Sequence, residues 1–137
     1  MPSRLHTARI LVVEDEPAIA LGLTLLLDEW GYAVTGVAAS GEDALAAAAA
    51  APPDLVLIDV RLDGPMDGIE TAAALRFQYA MPVVFLTAQS DPRTVARLET
   101  SAASGVLFKP VEPERLRHTI AGALKPRPNR TPVVAAE

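Results

Sequence analysis

The sequence predicts a doubly wound α/β domain in which five parallel strands alternate with five helices. Three observations carry this. Short, unbroken apolar runs rich in β-branched residues, such as Ile10-Leu11-Val12-Val13 and Leu55-Val56-Leu57-Ile58, read as strands buried on both faces. The segments between them carry helical spacing or helix-start signals, as crossovers between parallel strands require. Four of the runs close on polar or charged residues: Glu14-Asp15, Asp59, Thr87 and Lys109.

Taken in order, Ile10–Val13 is the first strand. Pro17 suits the first turn of a helix, and apolar spacing follows at Ile19, Leu23, Leu26, Leu27 and Trp30, with Gly31 as its stop. Ala33–Val37 is a weaker second strand broken by Gly36. Ser40-Gly41-Glu42-Asp43 has capping-box spacing, and Asp43 opens an alanine-rich helix to Ala51, ended by Pro52-Pro53. Leu55–Ile58 is the third strand. The turn formers Asp63-Gly64-Pro65-Met66-Asp67-Gly68 precede a helix from Ile69 to Gln78. Val83–Leu86 is the fourth strand. Asp91-Pro92 starts a shorter helix to Thr100, Val106–Phe108 is the fifth strand, and Pro113 opens a last helix to Leu124.

The 137 residues suit one domain with a single moderate core: residues 1–8 as an N-terminal tail, 9–124 as the domain, and 125–137 as a proline-rich tail without apolar periodicity, expected to be disordered. A net charge of −5 disfavours a nucleic-acid surface. The absence of cysteine excludes disulfides and thiolate chemistry. There is no signal peptide and no apolar run near the ~20 residues that span a bilayer, so a soluble cytoplasmic protein is expected.

In parallel sheets ligands sit beyond the carboxyl ends of the strands. Glu14, Asp15, Asp59, Thr87 and Lys109 should therefore meet at one edge. Crowded carboxylates suit a hard divalent cation such as Mg²⁺, and a lysine and a hydroxyl suit phosphoryl oxygens. An aspartate can also act as a nucleophile towards phosphorus. Singly, each residue has a plainer role: Asp15 as a helix cap, Thr87 as a structural hydroxyl, Lys109-Pro110 as a turn.

Four segments, ILVVEDEP, PDLVLIDVRLDGPMDGIE, MPVVFLTA and GVLFKP, resemble the receiver domain of two-component response regulators, a match running from about Arg9 to Leu124. The resemblance implies a flavodoxin-like sheet of strand order 2-1-3-4-5. It implies that Asp59 accepts a phosphoryl group from a histidine kinase or histidine phosphotransfer protein and is not a turnover enzyme's residue, although the domain assists its own phosphorylation and dephosphorylation. Mg²⁺ would be held by Asp15, Asp59 and the backbone carbonyl of Arg61, with Glu14 acting through water. Thr87 and Lys109 would read the phosphate, Lys109-Pro110 would be cis, and Arg61 and Gln89 would tune phosphoryl lifetime.

One position departs from the family pattern. Val106 stands where members often carry a mobile aromatic, so a rotating ring there cannot transmit the signal. Phe108 shares the face of Val106 and is expected as a packed core residue. No output domain follows, so the chain is expected to signal by docking an unknown downstream protein, without direct DNA or membrane binding. Pro17, Ala18, Ile19 and Gly22 could receive a kinase helix, and Leu21 and Leu25 lie off the main apolar stripe. Arg93, Arg97, Glu114, Arg115 and His118 could form a homodimer face. The alternatives are a phosphorelay intermediate passing phosphate to another histidine, a degenerate receiver and, remotely, an aspartate-nucleophile phosphatase, whose usual second aspartate is replaced by Arg61.

Overall fold

Parallel strands need helical crossovers, and the chain supplies one after every strand. The computed structural model describes residues 7–125, so the tails expected at 1–8 and 125–137 lie almost wholly outside the described residues. The elements are β1 (Arg9–Val13), α1 (Pro17–Glu29), β2 (Ala33–Ala38), α2 (Gly41–Ala50), β3 (Leu55–Ile58), α3 (Gly68–Tyr79), β4 (Val83–Thr87), α4 (Pro92–Glu99), β5 (Gly105–Phe108) and α5 (Pro113–Leu124). The strands form one parallel sheet of order β2-β1-β3-β4-β5, as the resemblance implied.

Alternation along the strands sorts the core into two layers. Leu11, Val13, Val56, Ile58, Val83 and Phe85 face α2, α3 and α4, where they meet Ala44, Ala48, Ala72, Leu75 and Leu98. Ile10, Val12, Leu55, Leu57, Val84 and Leu86 face α1 and α5, where they meet Leu23, Leu27, Leu116 and Ile120. Both faces of the sheet are thus covered, which is why the central strands read as unbroken apolar runs.

The details depart from the sequence reading in three places. Gly36 does not break β2. The register with β1 shifts between Ile10 and Leu11, which pair with Val34 and Gly36, so the strand absorbs Thr35 as a bulge and continues. The second helix starts at Gly41, because Ser40 Oγ accepts the Asp43 N–H at 3.1 Å and the turn is already helical there. The reciprocal capping box forms elsewhere: Asp67 Oδ1 accepts the Glu70 N–H at 2.9 Å, and Glu70 Oε1 accepts the Asp67 N–H at 2.9 Å, fixing the start of α3. Among the described residues no helix is long and apolar enough to cross a membrane.

The first helix is apolar on more than its core face. Leu27 is fully buried, while Leu21 and Leu25 are 59% and 60% exposed. Leu27→Ala should lower the unfolding free energy by about 2–5 kcal/mol. Leu25→Ser should stay within about 0.5 kcal/mol of the unaltered chain, since it removes no core contact. Urea denaturation of the two variants measures both.

Candidate functional site

Strand order decides which side chains meet. β1 and β3 are neighbours at the centre of the sheet, so the residues that follow them emerge side by side at its carboxyl edge. The Glu14 N–H donates to Ala38 O at 2.9 Å and the Asp59 N–H to Val13 O at 3.0 Å, extending the ladder one step past each strand. That step fixes both carboxylates: Glu14 is 3% and Asp59 7% exposed. Asp15 is half-buried beside them, and carboxylate oxygens of Glu14, Asp15 and Asp59 all lie within 4.8 Å of one another. Asp15 does not cap α1, whose N-cap is Glu16 without a side-chain cap bond.

Lys109 reaches this cluster from the far strand. Its Nζ donates to Asp59 Oδ2 at 2.9 Å and to Glu14 Oε1 at 3.1 Å. The other oxygens are held by backbone: Glu14 Oε2 accepts the Glu16 N–H at 3.2 Å and Asp59 Oδ1 accepts the Arg61 N–H at 3.3 Å. The Lys109–Pro110 peptide bond is cis. The Lys109 N–H donates to Thr87 O at 2.9 Å, so β4 and β5 end in register. Thr87 is fully buried at its strand end, and its Oγ1 accepts the Gln89 N–H at 2.9 Å.

The charges are crowded. Burial pushes the Glu14 carboxyl above the ordinary range, against the opposing pull of Lys109. Burial and then the Asp63 carboxylate push Asp15 up. Burial would lower the Lys109 ammonium, but its hydrogen bonds to Asp59 and Glu14 outweigh that and hold it above the ordinary lysine value. Two carboxylates share the Lys109 ammonium and a third, that of Asp15, lies beside them, which leaves an excess of negative charge among hard oxygen donors. That donor set fits a hard divalent cation.

The loop after Asp59 is built to tight tolerance. The Gly68 N–H donates to Val60 O at 2.6 Å, and a Cβ on Gly68 would collide with the Asp59 carbonyl oxygen. Only glycine lets α3 start this close to the backbone carrying Asp59. A Cβ on Gly41 would likewise collide with Thr71 Oγ1, where α2 packs on α3. The loop is bridged to the start of α2 through Ser40 and Asp63. Neither glycine was singled out by sequence reasoning. Gly68 sits within a run of turn formers, and steric exclusion by a neighbouring strand leaves no mark in a single sequence.

The remaining expected residues divide. Arg61 and Gln89 border the pocket through the backbone bonds just given; the Arg61 side chain is exposed. Val106 packs against the core layer that contains Leu98. Phe108 corrects the expectation of a packed core phenylalanine: it is 47% exposed, because β5 is the edge strand and no helix covers its last residue on that face. Arg97, placed by sequence on a shared face with Arg115 and His118, instead donates to Asp67 Oδ2 at 2.7 Å. Leu21 and Leu25 are exposed as expected.

Fold and site together define a doubly wound α/β domain whose carboxyl edge carries a metal-capable acidic cluster, a lysine and a strand-end hydroxyl. The model of the response regulator receiver domain matches residues 10–121, and the chain belongs to that family. It is 38% identical over 117 residues to the DNA-binding response regulator MtrA of Mycolicibacterium smegmatis, covering 85% of this chain and 50% of that protein. It is 37% identical over 102 residues to the transcriptional regulatory protein PdtaR of Mycobacterium tuberculosis, covering 74% and 49%. The chain thus spans about half the length of the curated relatives it matches. Among solved structures it is similar to the signal receiver domain of a modulated diguanylate cyclase from Desulfovibrio desulfuricans G20, with a TM-score of 0.82 at 36% identity over 87% of this chain and 94% of that one. Vibrio cholerae chemotaxis protein CheY4 gives 0.78 at 34% identity, over 87% and 100%.

The raised Asp15 carboxyl has a signed consequence. Its contribution to stability is complete below the ordinary aspartate range and is lost as pH rises through the raised native value. Asp15→Asn, which cannot ionise, should therefore exceed the unaltered chain in stability at neutral pH without divalent cations. The gap should close as pH falls below that range, and millimolar Mg²⁺ should narrow it by stabilising only the unaltered chain. Thermal melts across pH, with and without Mg²⁺, check all three.

Proposed function

We propose that Asp59 accepts a phosphoryl group from a phosphohistidine on a partner protein, and that the domain signals by protein docking. The observation that carries this is the Lys109 ammonium bonded at once to Asp59 Oδ2 and Glu14 Oε1 in a largely buried carboxylate cluster. This arrangement poises a cation over a nucleophile with charge left to satisfy.

In the transfer, a carboxylate oxygen of Asp59 attacks phosphorus. An O–P bond forms as the donor's N–P bond breaks, and the electron pair returns to the imidazole. Asp15, Asp59 and the Arg61 carbonyl would hold Mg²⁺, with Glu14 acting through water; the ion would neutralise phosphoryl oxygens. Lys109 turns from Asp59 to the incoming phosphoryl group. Thr87 Oγ1 already accepts from Gln89, so its own proton serves as donor to a phosphoryl oxygen. Arg61 and Gln89, each two residues past a site residue, border the path of the water that later hydrolyses the acyl phosphate. The domain assists these steps and is not a turnover enzyme.

Docking has a surface beside the pocket. An open, largely apolar groove of about 690 Å³ is lined by Ile19, Gly22, Leu23, Leu26, Leu86, Lys109, Pro110 and Val111. Lys109 belongs to both groove and site, so a helix seated there would present its histidine to Asp59. Exposed Leu21 and Leu25 extend the apolar surface. A net charge of −5 favours protein over DNA as the domain's direct contact, and a cytoplasmic location accords with a kinase partner.

Incubation with acetyl phosphate and Mg²⁺ should add one phosphoryl group to the intact mass, and Asp59→Asn should abolish the addition. An unmodified unaltered chain overturns the reading. Arg61→Ala should change the decay of the acyl phosphate several-fold, followed by the same mass measurement over time; unchanged decay removes Arg61 from lifetime control.

A further inference from the structure

The loop after Asp59 carries a fourth carboxylate, Asp63, which the site so far leaves unused. Its backbone is seated on the same strand end as the acidic pair. Ala38 O accepts the Glu14 N–H at 2.9 Å, and the next carbonyl, Ala39 O, accepts the Asp63 N–H at 3.3 Å. Asp63 also forms a parallel bridge with Ser40. Gly64 then takes φ +89°, and a Cβ there would lie 3.2 Å from Glu42 Oε1, so the loop folds back against the start of α2. The position of Asp63 beside the cluster is thus built by three backbone constraints.

Its side chain has no other employment. Asp63 is exposed and caps no helix, since the N-cap of α3 is Asp67. Among the described residues no basic side chain pairs with it. Its charge falls on Asp15 instead: after burial, Asp63 is the strongest influence raising that carboxyl, ahead of Asp59, although an Asp59 oxygen lies within 4.8 Å of one on Asp15. The contrast with Glu14 is informative. Both Glu14 oxygens already accept, from Lys109 and from the Glu16 N–H.

We propose that Asp63 is a positioning residue for the divalent cation, outside the set of groups that touch it and acting through its water shell from the Asp15 side. The inference rests on the reading that Asp15 and Asp59 hold Mg²⁺. Asp63 is absent from the group of carboxylates whose oxygens all lie within 4.8 Å of one another, so it is not a direct ligand of that group. Mg²⁺ dehydrates reluctantly and keeps several waters. A carboxylate that accepts from those waters orients them and raises affinity. With both Glu14 oxygens engaged, Asp63 is the carboxylate beside Asp15 with its acceptors still unused.

The test uses Mg²⁺ alone, on the full chain, by isothermal titration calorimetry and thermal melts. Asp63→Asn keeps the size and the backbone bonds and removes the charge. It should weaken Mg²⁺ binding about three- to ten-fold. Without Mg²⁺ the same variant should melt no lower than the unaltered chain, because the charge that burdens Asp15 is gone. Asp63→Glu should restore part of the affinity. Glu114→Gln removes an exposed carboxylate from the start of α5, at the same edge of the sheet, and so measures the effect of net charge; it should stay within about two-fold. A merely structural role would lower the metal-free melting temperature along with the affinity, and that result overturns the assignment. So does an Asp63→Asn affinity equal to that of Glu114→Gln. An unaltered chain that binds no Mg²⁺ at millimolar concentration overturns the metal reading and this assignment together. If Mg²⁺ binding responds to Asp63→Asn as stated while acetyl phosphate leaves Asp59 unmodified, the phosphoacceptor reading falls and the assignment of Asp63 holds.

Discussion

The structure turns on one half-buried ammonium between two buried carboxylates. Burial disfavours the charged form of Glu14, and removing one member of such a set leaves an uncompensated charge. Strand order imposes the choice of residue. Lys109 follows β5, which lies two strand spacings, roughly 10 Å, from β3 across β4. A compact charge on a long flexible stem can cross that distance, whereas a short or planar cation is worse suited to sit between two carboxylates from different strands. The site is therefore a consequence of sheet topology: adjacency of β1 and β3 crowds the acids, and the register of β4 with β5 aims the lysine over Thr87 into them.

The same geometry makes the pocket a shared boundary. Lys109 belongs to the charged site and, with Pro110, lines the apolar groove against α1. Any body seated in that groove would exclude water from one side of the site and so strengthen the electrostatics there. The excess negative charge opposes this in the absence of a cation. Burial and mutual repulsion hold Glu14 and Asp15 above their ordinary range, so a divalent ion relieves a standing cost. The cluster of Glu14, Asp15 and Asp59 could hold such an ion.

Strands and helices were legible because burial on both faces writes itself into unbroken apolar runs, and because the polar residues ending them are chemically distinct. Glu14, Asp15, Asp59, Thr87 and Lys109 were found from that contrast. Phe108 was misread because alternation gives a face and not its cover, and β5 is an edge strand. The bulge at Thr35 was read as a break at Gly36, since a glycine in a strand signals irregularity without saying whether pairing continues. Asp67 and Glu70 carried the spacing of a capping box inside a loop that seemed merely turn-rich. The Arg97–Asp67 pair was invisible because the two residues lie in separate elements and neither lies at a strand end.

The fourth helix is held by few core contacts, with Leu98 the one buried residue among its eight. Regions so held occupy the low-stability end of a domain, and moving elements are drawn from that end. A signal leaving a rigid pocket must pass to something that can yield. Here β1, β3 and β4 are locked by fully buried side chains, whereas the link from Thr87 to α4 spans residues 88–91. The fourth helix, with one buried residue where every other described helix has at least two, is the part of the described fold most able to yield.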